Sequence, residues 1–158
     1  MVKMKKHRRG VTIHEPTYVA DSAKIGRGTK IGAGCDIGKD VNIGKDCNLQ
    51  AGVTISNGCK VGRNVFMAPG VHLLNDRYPP SGIRDPARIM NDVVLEGGVI
   101  IGPGVTVGSN SVIRQGANVT EDVPYSEVWS GNPAVFELNE ETYSKKKMDY
   151  KHKKGGVK

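Results

Sequence analysis

Aromatic side chains are scarce: five Tyr, two Phe and one Trp make up 5% of 158 residues, and apolar residues of all kinds reach only 37%. Both shares are low for a globular core. Long apolar runs are missing as well. No stretch approaches the roughly 20 residues that a membrane-spanning helix needs, so no membrane span is expected. No apolar stretch follows the five Lys/Arg of residues 1–9, so that segment does not read as a secretory signal. The expectation is a soluble, cytoplasmic protein. Cysteine is limited to three residues, which suits a reducing compartment better than a disulfide framework.

Charge of one sign is missing from the middle. The net charge is +7, yet residues 10–144 sum to −4, while residues 1–9 carry +5 and residues 145–158 carry +6. The basicity therefore belongs to two end segments around a mildly acidic body. A nucleic-acid binder more often shows a basic face on its folded part with aromatics interleaved. Solvated tails are the simpler reading, although basic tails can touch an anionic surface. No specific nucleic-acid partner is expected.

What the chain has in excess is glycine, 21 of 158, about twice the ordinary share of roughly 7%. Written in sixes from Ile25, one column reads Ile25, Ile31, Ile37, Ile43, Leu49, Ile55, Val61, Met67 and Leu73. It resumes at Ile89, Leu95, Ile101, Val107, Ile113 and Val119. Four places on, the side chains are small or β-branched, as at Thr29, Cys35, Val41, Cys47 and Val53. Ile13 and Val19 extend the pattern weakly backwards. Three places after each large residue stands Gly, Asn or Asp, fourteen times from Gly28 to Asp122. These residues accept a positive φ at low cost. A backbone that needs one such residue in every six turns a corner every six.

The fold class this predicts is all-β: a parallel β-helix of triangular section, three hexads to a coil and about five coils. Disorder is excluded by the strict period. An α-helical fold is excluded because apolar residues do not recur at three and four. Two inward residues per hexad also explain the low apolar share. The expected organisation is a basic segment over 1–10, the repeat over 11–134, and a short helix with a basic tail over 135–158. Val135 to Tyr143 is the stretch expected to be helical.

Cys35, Cys47 and Cys59 all occupy the inward small position. None recurs at eighteen, so none stands directly above another, and they read as buried small hydrophobes. The period breaks once, over the loop 74–88, which holds three prolines, Asn75, Asp76, Arg77, Tyr78 and Arg84. Fifteen irregular residues in so regular a scaffold suggest function. A polar or anionic ligand, or a grip on a neighbouring subunit, would each use them. His72 lies between inward Val71 and Leu73 and should point outward. There it is either a general base or a surface histidine.

The hexads resemble those of the left-handed β-helix, or hexapeptide-repeat, acyltransferases. More narrowly, Asn75-Asp76-Arg77-Tyr78-Pro79 resembles the Asn-Asp-x-Tyr-Pro loop of the N-acetyltransferases that act on amino groups of nucleotide-linked sugars. Val128-Trp129-Ser130-Gly131-Asn132-Pro133-Ala134 resembles the exit of these enzymes. The resemblance implies acetyl-CoA as co-substrate, no metal, and a homotrimer with sites between prisms. It implies that Asn75 contacts the reacting amine, with His72 beside it. It implies that Asp76, Arg77, Tyr78 and Arg84 meet the sugar nucleotide. Gly98, Gly116, Asn132, Pro133 and Ala134 would meet the coenzyme. Pro80 departs from the Arg that usually follows Tyr-Pro. Val135 departs from the Lys that often meets a coenzyme phosphate.

Two other chemistries stay open at this level. An O-acetyltransferase would need His72 as base, because a hydroxyl has a much higher pKa than an amine. A non-catalytic β-helix scaffold is the other. A zinc hydratase of the same fold would need three histidines across the coils, and only His72 lies inside the regular repeat.

Overall fold

A computed structural model describes Met4–Lys5 and residues 10–155. Most of the basic segment expected over 1–10, and residues 156–158, lie outside the described residues. The repeat folds as a left-handed parallel β-helix of triangular section. The first face stacks seven parallel strands, from Thr12–His14 to Glu127–Ser130. An antiparallel strand closes each end, Met4–Lys5 below and Val135–Asn139 above. The second face has six strands, from Tyr18–Val19 to Asn118–Val119, and the third has five, from Lys24–Ile25 to Thr106–Val107. The expected count of about five coils is thus low for two faces. Thr12–His14 and Tyr18–Val19 form true rungs, and the exit residues Glu127–Ser130 add another. Seven rungs at strand spacing make the first face about 29 Å tall.

From Tyr18–Val19 to Asn118–Val119 each strand has only two residues, because the corners take the rest. Thirteen of the fourteen corner residues have positive φ, from Gly28 at 82° to Gly116 at 71°. Five of them are Asp or Asn, between 53° and 61°. Asp122 is the exception. Its carboxylate instead accepts a hydrogen bond from the Thr106 amide at 2.8 Å, closing the last coil of the third face.

The large inward residues form one continuous core, with Ile31, Ile37, Leu73, Leu95, Ile101 and Ile113 wholly buried. Trp129 stands in register with Ile113 and ends the stack; its indole N–H donates to Glu127 at 2.7 Å. The small inward position has a second role that the repeat alone does not reveal. Thr17 and Thr29 each donate at 2.9 Å to the carbonyl fifteen residues ahead, Gly32 and Gly44. Cys35 does the same to Gln50 at 3.2 Å and Cys47 to Gly62 at 3.1 Å. All three cysteines are free and buried. Burial pushes the Cys59 thiol up to about 11, which leaves it a poor nucleophile.

The C-terminal end differs from expectation. Val135–Asn139 is a strand, paired antiparallel with Glu127–Ser130 across the turn at Gly131–Ala134. The helix begins at Glu140 and runs to Gly155, through most of the stretch read as a tail. The side chain of Asn139 caps it by accepting from the Thr142 amide at 2.9 Å. Glu140 and Glu141 in its first turn and His152, Lys153 and Lys154 in its last suit the helix dipole.

A second glycine column lies on the third face, at Gly26, Gly44, Gly62 and Gly108. A Cβ on Gly44 would stand 2.5 Å from the Gly62 carbonyl oxygen one coil above, closer than real Cβ contacts allow. Gly97 faces only the Pro69 oxygen at 3.8 Å. Gly44→Ala is therefore expected to cost about 2–3 kcal/mol through overpacking, lowering the Tm by roughly 5–10 °C. Gly97→Ala should stay within about 1 kcal/mol of the parent. Equal melting temperatures for the two variants would show that coil spacing does not depend on the third-face column.

Candidate active site

The three corners of the prism differ, and the difference marks a candidate site. Between the first and second faces the corner is bare. Gly34, Gly52, Gly70, Gly98 and Gly116 stack there at positive φ. Their amides bind downward to the next coil, for example Gly98 to Pro69 at 3.0 Å and Gly116 to Gly97 at 2.9 Å. A Cβ built on Gly98 or Gly116 meets nothing within 4 Å. This corner can therefore take an extended chain against its backbone. It ends at Gly131, whose carbonyl accepts from the Asn118 amide at 3.0 Å. Asn132 joins it through Asn118 Nδ2 at 3.2 Å, and the Ala134 amide donates to the Asn118 carbonyl at 2.9 Å. Gly98, Gly116, Asn132, Pro133 and Ala134, distant in sequence, thus lie along one corner and its end.

The second face runs from this bare corner to the corner that carries the loop. Thr54, His72, Ile100 and Asn118 stand in register on it, facing outward. His72 is exposed, with Thr54 below and Ile100 above. Asn75 follows three residues later, where the chain leaves the face. At no more than about 3.6 Å per residue, Gly70 and Asn75 lie within about 18 Å of each other. Both borders can serve one bound pair of molecules.

The loop is strapped along its corner. Asn75 donates through Nδ2 to the Asn57 carbonyl at 3.0 Å, and its own carbonyl accepts from the Asp85 amide. Its side-chain Oδ1 remains available as an acceptor. Arg77 pairs with Asp85 at 3.1 Å and reaches the Pro103 carbonyl at 3.3 Å on the coil above. Arg84 pairs with Asp40 at 3.2 Å, two coils below. Asp76 turns inward upon the loop, accepting from the amides of Tyr78 and Ser81 at 3.1 and 2.9 Å and from the Ser81 hydroxyl at 2.6 Å. Three of the residues expected to meet substrate therefore hold the loop in shape. Tyr78 alone projects freely, at 79% exposure, with Ile83 beside it at 72%.

Sequence reasoning did not find Asp85, Ser81 and Asp40, the partners of these residues. Their role depends on the path of the loop over the corner. No group of three or more His, Cys, Asp or Glu suited to a metal occurs among the described residues. No helix among them is long and apolar enough to cross a membrane.

The sequence model of the bacterial transferase hexapeptide (six repeats) family matches residues 22–57, 40–75 and 80–120, more than half of the chain, and the chain belongs to that family. A 2,3,4,5-tetrahydropyridine-2,6-dicarboxylate N-acetyltransferase of Staphylococcus aureus strain JH9 is 34% identical over 73 residues, 46% of this chain and 30% of that protein. The acetyltransferase domain of PglB from Neisseria gonorrhoeae FA1090, in complex with acetyl coenzyme A, is 25% identical with a TM-score of 0.71, over 80% of this chain and 57% of that one. PerB from Caulobacter crescentus, in complex with CoA and GDP-perosamine, shares the fold at 23% identity and a TM-score of 0.70, over 82% of this chain and 57% of that one. The chain thus spans about a third of the curated relative and somewhat over half of these solved chains.

The Asp76 carboxyl is held below its ordinary range, chiefly by the Ser81 hydroxyl and then by the Ser81 amide. Its ionised form supports the loop. That support is complete above the ordinary carboxylate pKa and is lost as pH falls through the lowered value. Asp76→Ala should speed exchange of the Tyr78 and Ser81 amides by roughly tenfold at neutral pH, with the amides of the prism unaffected. Hydrogen exchange read by NMR tests this; unchanged loop amides would remove Asp76 as the organiser.

Proposed function

We propose that the chain is an acetyl-CoA-dependent acetyltransferase that acylates an amino group on a nucleotide-linked sugar. One observation carries the reading: the Asn75–Pro79 loop and the bare glycine corner border the same face, with His72 between them. The bare corner suits the pantetheine arm of a coenzyme, because glycine lets amide groups approach the backbone. Acetyl-CoA, when bound, would supply the acetyl thioester, and coenzyme A would leave as the thiol. The acetyltransferase names of the relatives, and the CoA, acetyl coenzyme A and GDP-perosamine bound in PglB and PerB, are in keeping with it.

On this reading Asn75 Oδ1 accepts a hydrogen bond from the acceptor amine and turns its lone pair toward the thioester carbonyl. A C–N bond forms as the C–S bond breaks, and the amine proton leaves to His72 or to water. Positioning supplies most of the rate. A sugar amine is partly unprotonated near neutral pH, so no strong base is required. Asn75→Ala should lower kcat about 30- to 150-fold, the cost of one transition-state hydrogen bond. His72→Ala should cost under about tenfold. Its outward, exposed setting on the face also suits a base for a hydroxyl acceptor, where its loss would cost about 10²–10⁴-fold. An assay of both variants at saturating acetyl-CoA separates the two chemistries. A chain that binds no acetyl-CoA would be a scaffold instead.

We infer further that three copies assemble, with each site shared between prisms. Tyr78 and Ile83 at the loop tip are large side chains that the other described residues leave exposed. Light scattering should give three times the mass of the chain. A monodisperse monomer at micromolar concentration would remove the shared site.

A further inference from the structure

The C-terminal helix does not pack as an ordinary surface helix. A helix laid on a protein body usually turns an apolar stripe toward it. This one buries no residue. The stripe it turns toward the prism is Tyr143, Lys146, Lys147 and Tyr150, the i, i+3, i+4, i+7 positions of one helical face. Between that stripe and Arg114, Glu137 and Leu138 lies a cleft of about 270 Å³.

The charges in the cleft are unequally satisfied. Arg114 is already engaged: it pairs with Glu96 at 3.1 Å, stands 3.8 Å from Glu137, and lies 5.4 Å over the Tyr143 ring. Tyr143 donates its hydroxyl to the other oxygen of Glu96 at 3.0 Å. Lys146 and Lys147 have no carboxylate at ion-pair distance among the described residues; the helix's one such pair joins Lys145 to Glu141. Two uncommitted ammonium groups stand beside an exposed Tyr150 ring and apolar Leu138, a chemistry that suits a phosphate attached to a flat aromatic base.

The cleft also borders the bare corner. Glu96 and Arg114 precede Gly98 and Gly116 by two residues, and Glu96 accepts from the Gln115 amide at 3.0 Å. The rung at Gly70, beside His72, and the corner's end at Gly131 are three coils apart, about 14 Å at strand spacing. A ligand laid along the corner would have its far end on the side of the cleft, where Glu96 and Arg114 stand.

We propose that Lys146, Lys147 and Tyr150 bind the phosphorylated nucleoside end of a substrate. The proposal rests on the acetyltransferase reading for its ligands. Position beside the glycine corner favours the coenzyme as the source; the diphosphate of the sugar nucleotide is the other.

The test is calorimetric titration of the full chain with CoA, 3′,5′-ADP, pantetheine and UDP. The Lys146→Ala/Lys147→Ala variant is compared with Lys153→Ala/Lys154→Ala, which removes the same charge from the last turn. The cleft variant should bind CoA and 3′,5′-ADP about tenfold more weakly, as expected for lost charge-assisted contacts. Pantetheine binding and the control variant should stay within about twofold. Tyr150→Leu should weaken the same ligands with charge unchanged. A selective loss for UDP instead also supports the site and assigns it to the sugar nucleotide. Unaltered binding of every nucleotide, or equal loss in both double variants, overturns the site while leaving the proposed function intact. A wild-type chain that binds none of these ligands overturns both.

Discussion

One residue in six must take a left-handed backbone conformation, and everything else in the molecule follows from that constraint. The corner at Asp40, Gly58 or Asn110 turns the chain by a third of a circuit. The two residues before the next corner then meet the strand one coil away. Backbone amides between coils are satisfied vertically, as Gly52 is by Ala33 and Gly116 by Gly97. The core needs no large aromatic residues, because a column of Ile, Leu and Val stacked at strand spacing already fills the triangle. Trp129 appears only where the column ends and the core must be covered.

With the interior so uniform, chemistry is confined to the corners. One corner is bare glycine, and its backbone is open to a bound chain. A second carries the loop, held along the prism by the Arg77–Asp85 and Arg84–Asp40 pairs. These pairs are exposed, so each contributes little to overall stability. They set the path of the loop and the direction in which Tyr78 and Asn75 project. The third corner carries Arg27, Lys45 and Arg63 beside Gly28, Asp46 and Asn64, and Asn64 donates there to Asp92 on the next coil at 2.9 Å. The face between the first two corners is the one on which His72 stands.

The C-terminal appendage adds what the repeat cannot. The repeat sets its outward side chains in register, one coil above another. The strand Val135–Asn139 extends the first-face sheet by one antiparallel rung, and the helix that follows is held back against the prism by Tyr143, hydrogen-bonded to Glu96. This leaves a cleft between helix and hairpin, beside the end of the glycine corner.

The sequence by itself determined the coil. The period of six, the Gly/Asn/Asp column and the inward aliphatics were legible because the constraint is local: each corner is decided by the residue that occupies it. It also isolated the loop 74–88 and the exit at Gly131–Ala134, since both interrupt a strict period. The strand Val135–Asn139 was not legible. Five residues carry too short an alternation, and the partner that makes them a strand, Glu127–Ser130, is supplied by the stacked coil. The helix Glu140–Gly155 has no apolar period to read, and it rests on caps and on contacts with Glu96 and Arg114. Only the tertiary structure decided the duties of Asp76, Arg77 and Arg84. All three bear the charge a ligand would need. Their partners Ser81, Asp85 and Asp40 come within reach only when the loop folds back along its corner, because a side-chain ion pair depends on distance in space and not on spacing in the chain.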